Sequence, residues 1–259
     1  MTVKFYKYQG TGNDFILIDN RTYGLKKNVG LIKKLCDRRF GIGADGLILL
    51  QKKKGYDFEM VYFNSDGNES TMCGNGGRCI VQFAHDLGLI KKTCTFLAID
   101  GKHEGEILRN GNVSLKMKDA NMYAEEFYAF GDTGSPHAVV FEKDVKNHPV
   151  VEEGRAVRNL KAFKSIGGAN VNYVQVLKGN KIYVRTYERG VEDETLSCGT
   201  GVVAASMASA LYTKKALAKW SIETPGGSLQ VSFTKKGNRF TNVFLIGPAV
   251  KVFEGECEW

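Results

Sequence analysis

Two cysteines of this chain share one local pattern, a thiol followed by Gly-x-Gly and then by a run of apolar residues. Cys73 begins Cys-Gly-Asn-Gly within residues 72–79, and Cys198 begins Cys-Gly-Thr-Gly within residues 197–201. The apolar residues after each loop recur at helical spacing, which predicts that each thiol lies at or just before a helix N-terminus. A helix N-terminus favours thiolate and offers unpaired N–H groups to an anion. Each loop could therefore bind a carboxylate while its cysteine exchanges a proton with the adjacent carbon.

Two such loops in one chain favour one kind of chemistry. A covalent cysteine enzyme pairs one thiol with a histidine base, and the four histidines here show no repeated partner for two cysteines. Inverting a stereocentre instead needs a base on one face of a carbon and an acid on the other. We therefore predict that Cys73 and Cys198 are the two acid-base groups of one site. The remaining cysteines lack such a loop and are predicted to be structural: Cys36, Cys79, Cys94 and Cys257.

The elements that position these loops repeat along the chain. The pattern of aromatic residues, Thr and Gly at residues 5–12 returns at residues 127–134. In both halves it is followed by an apolar strand, a helix, two strands and a cysteine loop. This repeat predicts an α/β (α+β) fold of two homologous pseudo-twofold halves, each a mixed, mostly antiparallel sheet wrapped around a central helix. The predicted halves are residues 1–119, which carry Cys73, and residues 120–259, which carry Cys198.

Two helices are predicted with different surroundings. Residues 29–40 carry apolar positions at helical spacing and are expected to form an amphipathic helix that ends before Gly41. The helix after Cys198 is apolar on nearly every side, so we expect it to be buried all round.

Composition limits the possible classes of function. The chain has 259 residues, 43% hydrophobic and 25% charged, which indicates a folded globular protein. A net charge of +8 is compatible with nucleic-acid binding, but the basic residues are scattered and no aromatic stacking motif lies between them, so no nucleic-acid partner is predicted. The sequence shows no signal peptide, no membrane-length apolar run and no close C-x2-C pair. We expect a cytoplasmic protein without a membrane partner, a metal site or a disulfide framework.

Nucleotide binding is a rival interpretation of the second loop. Residues 199–204 fit G-x-G-x-x-A, and Glu223 follows near the end of a predicted strand. A dinucleotide loop directly follows its strand, whereas residues 190–194 intervene here and carry three acids that would repel a pyrophosphate. The context therefore disfavours this interpretation.

Further motifs accompany the two loops in a fixed order along residues 10–201. They are Gly10-Thr11-Gly12-Asn13-Asp14-Phe15, Gly41-Ile42-Gly43-Ala44-Asp45-Gly46, Asn64-Ser65-Asp66-Gly67, Met72-Cys73-Gly74-Asn75-Gly76-Gly77-Arg78-Cys79, Gly134-Ser135-Pro136-His137, Asn170-Val171-Asn172, Glu188-Arg189-Gly190 and Cys198-Gly199-Thr200-Gly201. Together these motifs resemble the diaminopimelate epimerase family.

The resemblance implies a cofactor-independent enzyme that interconverts LL- and meso-2,6-diaminopimelate in lysine and peptidoglycan precursor synthesis. It implies that Cys73 and Cys198 are the catalytic acid-base pair and that His137 and Glu188 adjust the two thiols. It further implies a small-molecule substrate, a homodimer and a C-terminal strand, about residues 250–259, that crosses back to the first half. The substrate-binding residues that it implies are Asn13, Asn64, Gly74, Asn75, Asn170, Glu188, Arg189, Gly199 and Thr200.

Two positions depart from the family pattern, and two other functions stay open. Ser135 stands where many members have Asn, and Gly46 stands where some have Gln, so neither is assigned a substrate contact. Proline or hydroxyproline racemases also use paired cysteines, but their first loop resembles Met-Cys-Gly-His-Gly, and Asn75 argues against them. A non-catalytic amino-acid-binding protein of the same fold is the other alternative, and an assay with LL-diaminopimelate distinguishes it.

Overall fold

A computed structural model describes residues 1–214 and 218–259. The chain divides into two units, Met1–Leu115 with Gly247–Trp259, and Lys116–Ile246. This division differs from the expected one at 119/120, because the boundary falls after Leu115. The last residues of the chain belong to the first unit, where the C-terminal strand pairs with the N-terminal strand along its whole length.

Over residues 1–214 and 218–259, each unit has two α-helices and a set of short strands, and the second also has a 3-10 helix; the elements are numbered in chain order. The first unit contains β1 (Thr2–Gly10), β2 (Asn13–Asp19), α1 (Val29–Cys36), β3 (Gly46–Gln51), β4 (Phe58–Asn64), β5 (Glu69–Ser70), α2 (Gly74–Asp86), β6 (Thr93–Ala98), β7 (Gly101–Ile107) and β8 (Val113–Lys116). The second contains β9 (Ala120–Ala124), β10 (Ala129–Asp132), β11 (Pro136–Phe141), α3 (Val150–Arg158), a 3-10 helix (Lys161–Ile166), β12 (Asn170–Val176), β13 (Lys181–Glu188), β14 (Asp193–Thr195), α4 (Gly199–Tyr212), β15 (Lys219–Thr224), β16 (Gly227–Lys236) and β17 (Arg239–Gly247); β18 (Val250–Glu258) returns to the first.

The two units repeat one strand topology. In the first, β1 and β2 form a hairpin, β2 pairs parallel with β3 across α1, β3 pairs antiparallel with β4, and β4 pairs parallel with β6 after α2. In the second, β10 and β11 form the hairpin, β11 pairs parallel with β12 across α3, β12 pairs antiparallel with β13, and β13 pairs parallel with β15 after α4. Antiparallel β18 lies beside β1 as antiparallel β9 lies beside β10. The predicted α/β fold of two repeated, mostly antiparallel halves is confirmed.

The strands beside the central helices are buried on both faces. In the first unit, Ile16 and Ile18 of β2 pack with Ile32 of α1, while α2 contacts the opposite face of the same sheet. Strands β2 and β3 therefore read as continuous apolar runs rather than as alternating patterns. In the second unit, Val171 and Tyr173 of β12 pack with Val150 of α3.

Helix α4 is buried almost throughout, as its sequence predicts. Its residues from Gly201 to Ala210 are all buried, and it contacts seven strands of its unit. None of the helices within residues 1–214 and 218–259 has the length and apolar character needed to span a membrane.

Helix α1 is shorter than the sequence predicts, since it ends at Cys36 and not near residue 40. The Asp37 carboxylate accepts hydrogen bonds from the N–H groups of Arg39 and Phe40, at 2.7 and 2.8 Å. These bonds give the backbone a turn in place of another helical turn. Gly41 then packs against the end of the helix, where an added Cβ would lie 2.1 Å from the Lys34 carbonyl oxygen.

Candidate active site

Cys73 is the N-cap residue of α2, where its sequence predicts it. Its sulfur accepts a hydrogen bond from the Gly76 N–H at 3.2 Å, and its carbonyl accepts one from the Gly77 N–H at 2.8 Å. Cys73 is partly exposed, whereas Gly74 and the following turn are buried. The sulfur thus lies at the positive end of a helix, an environment that stabilises thiolate.

Arg78 is a fully buried cation beneath this loop. Its guanidinium donates to Thr11 Oγ1 at 3.2 Å, to Asn75 Oδ1 at 3.0 Å and to the Gly74 carbonyl at 3.3 Å. Its Nε donates to the Pro248 carbonyl at 3.3 Å, so these four acceptors are all neutral. Burial lowers the pKa of Arg78 to about 10, which leaves it charged at neutral pH. Arg78 therefore fixes the loop and places a positive charge below it.

Asn13 and Asn75, both predicted to bind substrate, are hydrogen-bonded to each other. The Asn75 amide nitrogen donates to Asn13 Oδ1 at 3.3 Å. The Asn13 amide nitrogen donates to Asp45 at 2.5 Å, and Asp45 accepts from Arg38 at 2.7 Å. Because Arg78 can only donate to Asn75 Oδ1, the orientation of both amides is determined.

Asn64 ends strand β4 and is exposed, opposite Gly46 of β3. A Cβ built on Gly46 would lie 2.5 Å from the Phe63 carbonyl oxygen and 2.6 Å from the Tyr62 ring. Position 46 of this chain therefore has no room for the Gln side chain that some members of the family it resembles carry there.

Cys198 is the N-cap residue of α4 and is 8% exposed. Its carbonyl accepts from the Val202 N–H at 3.0 Å, and its sulfur lies 3.5 Å from Thr200 Oγ1. The buried Thr133 hydroxyl donates to the Thr200 carbonyl at 2.8 Å, which attaches the loop to the β10–β11 turn. The two cysteines thus occupy the same backbone position in the two units.

His137 lies beneath the second loop and contacts Thr200. Its Nε2 is 2.9 Å from Thr200 Oγ1 and 3.1 Å from Ser135 Oγ, and its Nδ1 is 3.0 Å from the Asn172 amide nitrogen. Burial lowers the pKa of His137 to about 3, so the imidazole is neutral at pH 7. His137, which the resemblance implies adjusts a thiol, therefore contacts the residue whose hydroxyl lies 3.5 Å from the Cys198 sulfur.

Asn170 connects this cluster to the end of β13. Its amide nitrogen donates to Ser135 Oγ at 3.0 Å and to the Pro136 carbonyl at 3.2 Å. Its Oδ1 accepts from the Arg189 N–H at 2.8 Å. Asn170 is buried, so its amide holds the residues around it in fixed positions.

Glu188 and Arg189 lie at the end of β13, next to Asn170. One guanidinium nitrogen of Arg189 donates to the carbonyls of Ile166 and Gly168, at 2.9 and 3.1 Å. These two bonds hold Arg189 through Nη1, and within residues 1–214 and 218–259 its Nε and Nη2 have no hydrogen-bond acceptor.

In the second unit, hydrogen bonds connect Thr200, beside Cys198, through His137, Ser135 and Asn170 to the Arg189 backbone. In the first unit, Asn13 and Asn75 are hydrogen-bonded to each other, and Gly74 and Asn75 directly follow Cys73. Four residues that support the loops carried no role in the sequence prediction. They are Asp45, Arg78, Thr133 and Asn172. A signal for Asn172 was available, because a polar residue two positions from Asn170 in an apolar strand faces the same side and needs a partner when buried.

The other cysteines that the structure describes are not part of either loop. Burial raises the pKa of Cys36, Cys79 and Cys94 to about 12 in each case, so these thiols stay protonated and unreactive. Cys257, on β18, is partly buried and packs against the apolar core of the first unit.

Comparison with known families agrees with this geometry. A family model described as diaminopimelate epimerase matches residues 5–123 and 130–252. The chain belongs to the diaminopimelate epimerase family. It is 52% identical to a diaminopimelate epimerase of Flavobacterium psychrophilum over 97% of this chain and 99% of that protein. It is 39% identical to one of Chlorobaculum tepidum, over 95% of this chain and 98% of that protein.

Solved structures of other proteins share the fold of this family member. A phenazine biosynthesis protein of the PhzF family from Bacillus anthracis matches with a TM-score of 0.80, at 17% identity and over 100% of both chains. A hydroxyproline epimerase from Agrobacterium vitis matches with a TM-score of 0.71, at 12% identity, over 98% of this chain and 92% of that one. At these identities the likeness concerns the fold alone.

Proposed function

We propose that this protein is a cofactor-independent epimerase that interconverts LL- and meso-2,6-diaminopimelate, with Cys73 and Cys198 as its two acid-base groups. The observation that carries the proposal is the pair of N-cap cysteines at the same position of two repeated units, in a chain of the diaminopimelate epimerase family. This activity would serve lysine and peptidoglycan precursor synthesis.

In the proposed mechanism one cysteine, as thiolate, removes the α-proton and the other, as thiol, protonates the opposite face. Abstraction develops negative charge toward the substrate carboxylate. The amides of Gly74-Asn75 and Gly199-Thr200, at two helix N-termini, would stabilise that charge as an oxyanion hole does. Because both groups are thiols, the roles exchange when the substrate is the other stereoisomer.

Recognition of the rest of the substrate is assigned to polar side chains near each loop. Arg189 would bind a carboxylate through two parallel hydrogen bonds. Asn13, Asn64 and Asn170 would bind amino and carboxylate groups without adding charge beside the thiols. His137 and Glu188 would adjust the thiols. We also propose that the enzyme acts in the cytoplasm as a homodimer.

The test measures conversion of LL-diaminopimelate to the meso form by purified wild type, Cys73→Ala and Cys198→Ala. Each substitution removes an acid or base worth about 10²- to 10⁴-fold, so conversion should fall by at least that much. Cys257→Ala is the matched control, because that thiol lies on β18 outside both loops and should keep wild-type activity.

Two further measurements distinguish the proposed reaction from its alternatives. In D₂O, wild-type enzyme should incorporate deuterium at the inverted carbon. Proline offers no second charged end to Arg189 and should not be racemised. A folded Cys73→Ala or Cys198→Ala protein with an ordinary epimerisation rate would contradict the proposal, and turnover of proline but not of diaminopimelate would indicate the racemase alternative.

A further inference from the structure

A row of hydrogen-bonded polar side chains lies beneath the first turn of α4. It runs from Thr186 through Asn172 and His137 to Thr200, and Asn172 is completely buried. Buried amides need partners for each polar atom, so the direction of every hydrogen bond in such a chain can be worked out from groups that only donate or only accept.

The Ala138 carbonyl determines the orientation of the Asn172 amide. That oxygen can only accept, and it lies 3.0 Å from the Asn172 amide nitrogen, which must therefore be the NH₂ group. The same nitrogen has a second hydrogen, which points to His137 Nδ1 at 3.0 Å. On the other side, Asn172 Oδ1 accepts from the Thr186 hydroxyl at 3.0 Å.

The orientation of Asn172 determines which nitrogen of His137 carries the proton. The neutral imidazole has one N–H, and Nδ1 accepts from Asn172, so the proton is on Nε2. The charged groups that act on this ring are Asp132 and Arg189, with opposite effects on its pKa, and burial dominates both. Nε2–H then donates to Thr200 Oγ1 at 2.9 Å.

The Thr200 hydroxyl lies between His137 and the Cys198 sulfur. Its oxygen accepts from His137 Nε2–H, which also lies 3.1 Å from Ser135 Oγ. Ser135 Oγ accepts from the Asn170 amide, and its hydroxyl hydrogen can be donated to Thr200 Oγ1 at 3.4 Å. With its oxygen accepting from His137 and from Ser135, Thr200 can donate its own hydrogen to Cys198 Sγ, 3.5 Å away.

Gly201 gives independent support for the importance of Asn172. A Cβ at position 201 would lie only 2.4 Å from Asn172 Oδ1. The second glycine of the Cys198 loop therefore has a physical reason: α4 starts directly against the Asn172 amide, and a side chain there would push the amide away.

We propose that Asn172 is a positioning residue for Cys198: it holds His137 as the Nε2–H tautomer, which makes the Thr200 hydroxyl a hydrogen-bond donor to the Cys198 sulfur. A donor to the sulfur stabilises the thiolate form relative to the thiol. This inference rests on the proposed acid-base role of Cys198, since only a thiol that must ionise gains from such a donor.

The first experiment uses the wild-type protein and needs no substitution. Two-bond ¹H–¹⁵N correlation spectra of protein labelled at its histidine rings distinguish a protonated from an unprotonated ring nitrogen, and a His137→Gln sample assigns the signals. We expect Nε2 of His137 to be protonated and Nδ1 to be unprotonated at pH 7. A protonated Nδ1 would overturn the inference.

The second experiment follows the rate of Cys198 alkylation by iodoacetamide against pH, in a Cys73→Ala background. Asn172→Asp replaces the donor to Nδ1 with an acceptor, so the tautomer should invert and Thr200 should donate to His137 instead of to sulfur. The alkylation midpoint should rise by about one pH unit, the usual size of a shift from one lost hydrogen bond to the charged form. Thr186→Val is the matched control, since it also removes one buried hydrogen bond of Asn172 but leaves both amide donors in place.

Thr200→Val keeps the test decisive if Asn172→Asp does not fold. It should leave the His137 tautomer unchanged and still raise the alkylation midpoint. An unchanged midpoint in folded Asn172→Asp or Thr200→Val protein, or an equal rise in Thr186→Val, would overturn the inference. Full epimerase activity in Cys198→Ala would instead refute the proposed function and leave the tautomer result standing.

Discussion

The second glycine of each cysteine loop should respond differently to the same substitution, alanine. At Gly201 the new Cβ would lie 2.4 Å from Asn172 Oδ1, closer than real Cβ contacts allow. At Gly76, the corresponding position of the first unit, its nearest neighbours would be Cys73 Sγ at 3.1 Å and Ile48 Cδ1 at 3.4 Å, which a shift of a few tenths of an ångström relieves.

The expected loss of stability depends on the hydrogen bonds and packing that the neighbours of each new Cβ lose. Asn172 is held by three buried hydrogen bonds, each worth about 1 kcal/mol, and overpacking adds about 1–3 kcal/mol. Alanine has a higher helix propensity than glycine, which stabilises the folded protein by at most about 1 kcal/mol. Gly201→Ala should therefore lower the free energy of unfolding by about 3–5 kcal/mol, while Gly76→Ala should change it by less than about 1 kcal/mol.

Urea unfolding measures both effects. The chain has two tryptophans, and Trp220 is fully buried in the second unit, so Trp259→Phe leaves a fluorescence reporter of that unit alone. Gly201→Ala is compared with its Trp259→Phe parent, and Gly76→Ala with wild type by circular dichroism. If Gly201→Ala proved as stable as its parent, the close approach of α4 to Asn172 would be refuted.

The two units should also lose stability in acid over different pH ranges. Burial alone would raise the pKa of Asp14, but hydrogen bonds from Arg38 and Lys7 outweigh it and lower the pKa to about 2. Its carboxylate therefore stabilises the fold above about pH 4, and this contribution of about 2 kcal/mol disappears toward pH 2. In Asp14→Asn the urea midpoint should depend less on pH between 4 and 2 than it does in wild type. An equal dependence on pH in the two proteins would contradict the assignment. Burial lowers the pKa of His137 to about 3, so the second unit should lose stability as pH falls from about 6.5 toward 3, because the unfolded chain binds that proton first. The Trp220 signal reports this loss, and a midpoint independent of pH between 6.5 and 4.5 would argue against a buried neutral imidazole.

The repeat made much of the fold predictable. Glycine loops, apolar runs and their order predicted the hairpins, the helices after both cysteines and the burial of α4. The end of α1 differed from the structure for a local reason, because Asp37 ends the helix through hydrogen bonds that compete with it. The pairing of β18 with β1 is long-range, so no local pattern indicates it, and only the family resemblance predicted that the last strand crosses back.

The residues that support the candidate site were less visible in the sequence. Arg78 reads as an ordinary charged helix residue, yet the fold surrounds it with neutral acceptors from distant segments, including the carbonyl of Pro248. Asn172 likewise lies in an apolar strand, and its role depends on which atoms of His137 and Gly201 the tertiary structure brings beside it. Spacing predicts that Asn172 faces the same side of β12 as Asn170, but the atoms that Asn172 contacts depend on chain packing.

The two loops are alike in backbone and different in side chains, and the chemistry gives a reason for both. Under the proposed two-base mechanism, each side of the carbon needs a sulfur at a helix N-terminus beside amides that hold a carboxylate. The N-cap positions of Cys73 and Cys198 would each supply this environment from backbone alone. The backbone supplies this environment whichever side chains lie below it. The supports below the loops could therefore diverge, into a buried cation at Arg78 and a neutral imidazole at His137, while the backbone of the repeat stayed constant.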